Sequence, residues 1–466
     1  MTGRAIACTG LVLTAACLLA ACAGPRPPIP SAAAISPPQS WRQANASRDM
    51  DVDPAWWRNF GDPILAGLVA DALKDNDDLE IAAARVDEAR AQLTAARGAQ
   101  LPVLQAAAGG GRTRSVNPFG IDVKQWAAQA KLQSSFDLDL FGRLKNSSAA
   151  ARANLLATSY NRDAVQLAVA TATASTYVQL RTADARLALL KQTLDARAAT
   201  LKLIRRRAKA GYGSQLDLAQ AQAEYEATAQ AIPPVELAIA RLENGLSILL
   251  GRAPAPIARG RELGGIALPA IPVQLPAALL RRRPDLAASE QQIVAADRSL
   301  DAARAAFMPN IGLSASGGFV SSSLLVNDPL SIYSLGGSIL APIFNGGRIR
   351  AQAQGATARR DQAAFAYRRA ALTAFREVED GMASVQRLAE QEAALIRQRD
   401  ALARTQALAA RRYREGYSPY LEQLDAERSL LSSDLALVQN RSDRLVAAIN
   451  LYQAVGGGWQ PVAAAD

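Results

Sequence analysis

The chain has 466 residues, of which half are hydrophobic but only 5% aromatic, and it carries a formal net charge of +10 with no histidine. Lacking histidine, it lacks the commonest general acid or base and the commonest metal ligand. Its three cysteines, Cys8, Cys17 and Cys22, all fall in the first 22 residues, so no thiolate nucleophile, zinc site or disulfide remains downstream. An enzyme is not expected. The excess arginine is spread along helical stretches beside Glu and Asp, as on solvated helix faces, and no basic run interleaved with aromatics points to nucleic acid.

The N-terminus reads as an address. Arg4 precedes an apolar stretch from Ile6 to Ala21 that is too short to span a bilayer, which predicts a secretory signal over residues 1–21. Leu19-Ala20-Ala21-Cys22 resembles the bacterial lipobox, and that resemblance implies a lipid on Cys22, with no other cofactor. Ala23 follows the cysteine in place of Asp, which implies forwarding to the outer membrane. Residues 22–53, opening with a Pro-rich stretch, read as an extended, unpacked lipidated tether.

The rest of the chain is one unit written twice. Gly142-Arg143 recurs as Gly347-Arg348, Gly211-Tyr212 as Gly416-Tyr417 and Gly251 as Gly456, each at an offset of 205. Upstream, Asp78-Leu79 matches Asp285-Leu286, and Pro102 matches Pro309, at 207. The first copy covers 54–251 and the second 279–456, joined by a Pro- and Arg-rich linker at 252–278 and followed by a tail at 457–466.

Each copy opens with a helix ending shortly before a proline, at Ile64–Gln100 and Leu286–Phe307. A hairpin follows, over 103–141 and over 310–343. From Trp126 to Leu140 the even positions are mostly apolar and the odd ones mostly polar, the period of a strand with one oily and one wet face. Ile311, Leu313, Ala315 and Phe319, then Tyr333, Leu335 and Ile339, repeat the pattern in the second copy.

Long helices come next, over 143–210 and 348–415, because no proline occurs between Pro118 and Pro233 or between Pro342 and Pro419. The stretch Arg143–Lys209 would extend about 100 Å at roughly 1.5 Å per residue. Leucines at 180, 187, 194 and 201, and at 388, 395 and 402, recur every seven residues, the spacing of a coiled-coil seam. A Gly-Tyr turn ends each long helix, and a return helix runs to Gly251 or Gly456. Four two-faced strands cannot close in lipid alone, whereas three chains would supply twelve. The expected class is therefore an α+β membrane protein, a trimeric 12-stranded β-barrel continuous with a long α-helical coiled-coil barrel.

Several segments, in this order and spacing, resemble the TolC-like outer-membrane factors, specifically the NodT-type efflux lipoproteins. They are Trp56-Trp57-Arg58-Asn59-Phe60-Gly61-Asp62-Pro63, Leu280-Arg281-Arg282-Arg283-Pro284-Asp285-Leu286, Ala302 to Pro309, Pro342-Ile343-Phe344-Asn345-Gly346-Gly347-Arg348 and Arg376-Glu377-Val378-Glu379-Asp380. The resemblance implies a homotrimer in the outer-membrane lipid that passively exports small toxic molecules. A periplasmic adaptor and an inner-membrane transporter of RND type would sit beneath it. It also implies that the tips carry the mechanism: Gly211, Tyr212, Leu216, Asp217, Gly416 and Tyr417 as adaptor contacts, and Leu421, Glu422 and Asp425 as rings that close the tunnel. Gln220 stands where the second copy has Asp425, so the two tips are expected to differ. A structural or adaptor-type periplasmic lipoprotein without its own pore is the alternative. An adaptor would carry one hairpin between split lipoyl and barrel halves, in place of two tandem copies.

Overall fold

A computed structural model describes residues 25–42, 52–271, 276–326 and 329–460. The expected signal segment, Cys22 and the last six residues lie outside the described residues. The chain divides into two compact units. The first holds the chain up to Ile35 with Arg85–Ser159 and Ala288–Arg369; the second holds Ser36–Ala84, Tyr160–Ala287 and Ala370–Asp466.

The element order is duplicated. The first copy runs α1 (Pro63–Asp75), α2 (Asp77–Gly98), β1 (Val103–Val116), β2 (Asp122–Asp137), α3 (Arg143–Lys209), α4 (Gln215–Ala229) and α5 (Ile232–Leu249). The second runs α6 (Pro284–Ala305), β3 (Asn310–Ser322), β4 (Leu330–Leu340), α7 (Arg348–Arg414) and α8 (Tyr420–Ala454). Both long helices have 67 residues. No helix among the described residues is long and apolar enough to cross a membrane.

Two helices expected to be continuous are broken in the first copy only. The stretch Ile64–Gln100 divides at Asn76, whose backbone is extended. Its Oδ1 accepts the Asp78 N–H while its Nδ2 donates to the Leu249 carbonyl, a local turn that outcompetes the helix. The return helix divides at Gln230–Ala231, where Pro233 and Pro234 remove two backbone donors and restart the helix as α5. In the second copy α8 continues unbroken for 35 residues.

In the first unit the four strands form one antiparallel sheet in the order β1-β2-β3-β4. The register places Trp126 opposite Arg112, Leu132 opposite Ala106 and Gly317, Ala130 opposite Phe319, and Leu335 opposite Ala315. Partners in register share a face, so Leu104, Trp126, Leu132, Leu313, Phe319, Tyr333, Leu335 and Ile339 make one continuous apolar surface. That surface is bare: Leu335 is 86% exposed and Tyr333 90%. The opposite face is polar and cross-linked. Gln133 donates to Gln105 at 3.2 Å, Gln125 to Ser322 at 3.1 Å, and the Ser316 and Ser334 hydroxyls meet at 2.9 Å. Gly318 lies so close to β2 that a Cβ would sit 2.1 Å from the Ala130 carbonyl oxygen, which explains a glycine in mid-strand.

The first unit also corrects the expectation for the N-terminal stretch. Residues 25–30 are extended but packed, and Ser31–Ala33 form a 3-10 turn. Arg360, 1% exposed, donates to the carbonyls of Pro27 at 2.6 Å and Pro28 at 2.8 Å, and Arg26 pairs with Asp297 at 2.7 Å. A Pro-rich extended chain makes no internal hydrogen bonds, so its carbonyls are free to accept from arginine. In the second unit Trp41 is buried edge-on against Phe375, and the Arg42 N–H donates to Glu379 at 2.7 Å.

The core of the second unit gathers three of the segments that carry the family resemblance, those around Trp56, Arg283 and Glu377. Trp56 is fully buried and stacks on Tyr452 with centroids 5.0 Å apart. Truncating such a ring to alanine costs roughly 3–5 kcal/mol. Asp62 caps α1 by accepting from the N–H groups of Ile64 and Leu65, and its second oxygen accepts from the Tyr177 hydroxyl and the Arg261 N–H. Burial, the largest influence, pushes the Tyr177 hydroxyl up to about 12. Arg283 forks onto Asp285 and reaches Glu377 at 2.7 Å and the Ala454 carbonyl at 3.1 Å. The Arg-Arg-Arg-Pro-Asp and Arg-Glu-Val-Glu-Asp segments are thus joined by one guanidinium. The segment expected as a linker contributes Ile257, Leu263 and Ile266 to this core, and Arg259 ties it to Asp184 and Glu243.

Candidate functional site: the helical tips

The two tips are built by the same local rule. Each long helix ends on a glycine in the left-handed region, Gly211 at φ +80 and Gly416 at φ +82, which L side chains rarely adopt. The Tyr212 N–H donates back to the Arg207 carbonyl at 3.0 Å, and the Tyr417 N–H to the Arg412 carbonyl at 2.9 Å. Both tyrosines are left exposed. Basic residues fill the last turns, Arg206, Arg207 and Lys209 in one copy and Arg411, Arg412 and Arg414 in the other, where they complement the helix dipole.

Beyond each turn the return helix has an inner and an outer face. Tyr420 and Leu424, four residues apart, are buried with Leu201, Ile204 and Ala221. Burial pushes the Tyr420 hydroxyl up to about 12. Leu421 and Asp425, also four apart, lie on the outer face, Leu421 at 46% exposure and the Asp425 side chain at 63%. Asp425 has only a long contact with Arg428, at 3.5 Å, and Glu422 pairs with Arg412 at 3.3 Å. In the first copy Leu216 is 64% exposed, and its N–H is capped by the Ser214 hydroxyl. Asp217 stands near enough to Tyr413 to help hold that hydroxyl protonated, after burial itself. The sequence-identified residues therefore form an exposed apolar and acidic strip beside a closed core.

Sequence reasoning missed a buried charge cluster behind this strip. Glu224, on α4, is 7% exposed and accepts from Arg197 on α3 at 2.7 Å and from Arg428 on α8 at 2.8 Å. Arg197 also donates to the Glu224 carbonyl at 2.8 Å and the Thr228 hydroxyl at 2.5 Å. The repeat hid it, because the positions 205 residues on from Arg197 and Glu224 are Leu402 and Ser429. That departure from the duplication was the available signal.

A family model described as outer membrane efflux protein matches residues 68–252 and 275–457. The chain is 37% identical over 406 residues to the solvent efflux pump outer membrane protein SrpC of Pseudomonas putida, covering 86% of each chain. It is 32% identical to the pyoverdine export outer membrane protein OpmQ of Pseudomonas aeruginosa, covering 97% of each. Among solved structures, the outer-membrane channel OprN superposes with a TM-score of 0.85 at 29% identity, over 94% of this chain and 99% of that one. The open state of the MtrE outer membrane channel of Neisseria gonorrhoeae gives 0.82 at 29% identity, over 94% and 98%. The chain belongs to the outer membrane efflux protein family.

The cluster yields a stability prediction. Removing Glu224 leaves the buried Arg197 without a carboxylate, and breaking a buried pair from one side costs about 3–5 kcal/mol. Glu224→Ala should accelerate hydrogen exchange across 197–228 and 420–428, while Glu422→Ala, exposed and singly paired, should not. Equal protection in wild type and Glu224→Ala would show that the cluster does not hold the tip.

Proposed function

We propose that the chain is the outer-membrane channel subunit of a tripartite efflux pump, a passive duct for small toxic molecules. It would be assembled as a homotrimer, lipidated at Cys22, docked on a periplasmic adaptor and supplied by an inner-membrane transporter of RND type. The observation that carries this is the four-stranded sheet, apolar and bare on one face, polar on the other, with β1 and β4 each flanked by a strand on one side only. In hydrocarbon an unpaired strand edge leaves donors and acceptors unsatisfied, at several kcal/mol each, so the sheet must close. Three copies give twelve strands, within the range of known barrels. The names of the relatives, which concern export of solvents and of pyoverdine, support an efflux role and leave the cargo open.

In this reading the tips converge on the trimer axis and the outer strip of α8 becomes two rings. Leu421 supplies an apolar constriction that excludes water, and Asp425, with Glu422 beside it, supplies carboxylates that attract cations and repel anions. Gly211, Tyr212, Leu216, Asp217, Gly416 and Tyr417 are the exposed surface offered to the adaptor. The chain's own chemistry is confined to shape and charge.

Two measurements test this. Native mass spectrometry of detergent-released protein should give three protomers, each heavier by a lipid on Cys22 that is missing in Cys22→Ser; a lipid-free monomer with intact strand content would overturn the assembly. In planar bilayers Leu421→Ser should raise resting conductance, and Asp425→Ala should weaken block by divalent cations. Leu216→Ser and Gln220→Ala should do less, because Gln220 carries no charge. Wild-type behaviour of both α8 variants would mean that the rings lie elsewhere.

A further inference from the structure

Three cations stand on the apolar face of the sheet rather than on its polar face. Register places Arg112 opposite Trp126 and Arg114 opposite Lys124, on the same side as Leu132 and Leu104. Like charges directly opposite on one face destabilise a strand pair. Arg114 is relieved by Asp122, which it grips through Nε and Nη2 at 2.9 Å each. Arg112 and Lys124 are exposed, and among the described residues neither has a carboxylate within ion-pair distance.

Their height on the sheet is informative. The helix-linked ends of all four strands lie together, since Val103 pairs with Ser135, Asp137 with Gly312 and Asn310 with Leu340. The hairpin turns are therefore at the far end, and the cations sit at that end. Along β2 the outward apolar positions run from Phe136 to Trp126, ten residues apart. That is about 34 Å of strand, or about 24 Å of height at a tilt of about 45°, close to the apolar band of an outer-membrane barrel. Trp126 thus ends the band, as girdle aromatics do, and Lys124 lies about 7 Å further along the strand.

We propose that Arg112 and Lys124, with Arg114 beside them, form a docking site for the phosphate groups of lipopolysaccharide in the outer leaflet. The inference rests on the membrane placement proposed above. The surface continues the lipid-facing band without a break and turns from apolar to cationic where a lipid turns from acyl chain to phosphate. Arginine donates a planar fork that matches a phosphate, and an anion held at Lys124 offsets its repulsion from Arg114 directly opposite, with Arg112 the neighbouring residue on the same face of β1. The polar face beneath carries Lys131 farther down the strand, inside the height of the band.

The test uses the detergent-solubilised full chain and two probes, lipid A and lipid A stripped of both phosphates, with bound lipid counted by native mass spectrometry. Arg112→Gln combined with Lys124→Gln leaves the Arg114–Asp122 pair in place. The double variant should lose roughly tenfold or more in affinity for lipid A, the loss expected for one or two charge-assisted contacts. Its affinity for the stripped lipid should match that of wild type. Undiminished binding of lipid A by the variant, or an equal loss for both lipids, would overturn the proposal. Conductance in phospholipid bilayers separates the two readings. If wild type forms no channel the proposed function fails, whereas a conducting wild type that ignores lipid phosphate sinks only this site.

Discussion

A backbone amide in hydrocarbon has nowhere to turn for a partner except another strand, and that constraint governs the rest of this molecule. The chain supplies four strands and no fifth among the described residues, so β1 and β4 end the sheet with unpaired edges. Everything in the first unit is consistent with edges intended for other copies. The apolar face crosses all four strands short of the Arg112, Arg114 and Lys124 end, the polar face is laced by Gln–Gln and Ser–Ser contacts, and Gly318 brings β3 tightly against β2 at the seam between the two repeats. A monomeric sheet of this kind would be an aggregation hazard in water and incomplete in lipid.

The second unit serves the same arrangement by other means. Its core brings together the segments around Trp56, Arg283 and Glu377, and the chemistry that joins them is structural. Asp62 satisfies the start of α1 while holding Tyr177 and the Arg261 backbone, and Arg283 fastens its own turn to α7 and to the end of α8. Around the C-terminal turns of the long helices the Arg197–Glu224–Arg428 cluster and the Tyr420–Leu424 core leave Leu421 and Asp425 bare. Burying one face of α8 is what presents the other.

Much of this was legible in the residues. The absence of proline from Pro118 to Pro233 and from Pro342 to Pro419 left two helices of equal length, and Gly211 and Gly416 marked where they turn. Period-two alternation around Trp126 and Phe319 gave the faces of the strands, because a strand with one buried or lipid-facing side has no other way to write itself. What escaped was non-periodic. Asn76 breaks a helix through two side-chain hydrogen bonds, one to Leu249 more than 170 residues away, and no local pattern encodes that partner. The Pro-rich stretch after Cys22 looked unpacked because it has no apolar period, yet Arg360 holds it by its carbonyls. The closing residues were reached through family resemblance, and the charge cluster behind them is not repeated, since the positions 205 residues on from Arg197 and Glu224 are Leu402 and Ser429.

The membrane placement proposed for the sheet requires that the alternation in β2 divide lipid from water. Single cysteines at 132, 133, 137 and 138 in the assembled, membrane-embedded protein, challenged with a membrane-impermeant thiol reagent, measure it directly. Positions 133 and 137 should react and 132 and 138 should be protected, because the former line a water-filled lumen and the latter face acyl chains. Labelling of 132 and 138 with protection of 133 and 137 would invert the faces, and uniform labelling would remove the sheet from the membrane.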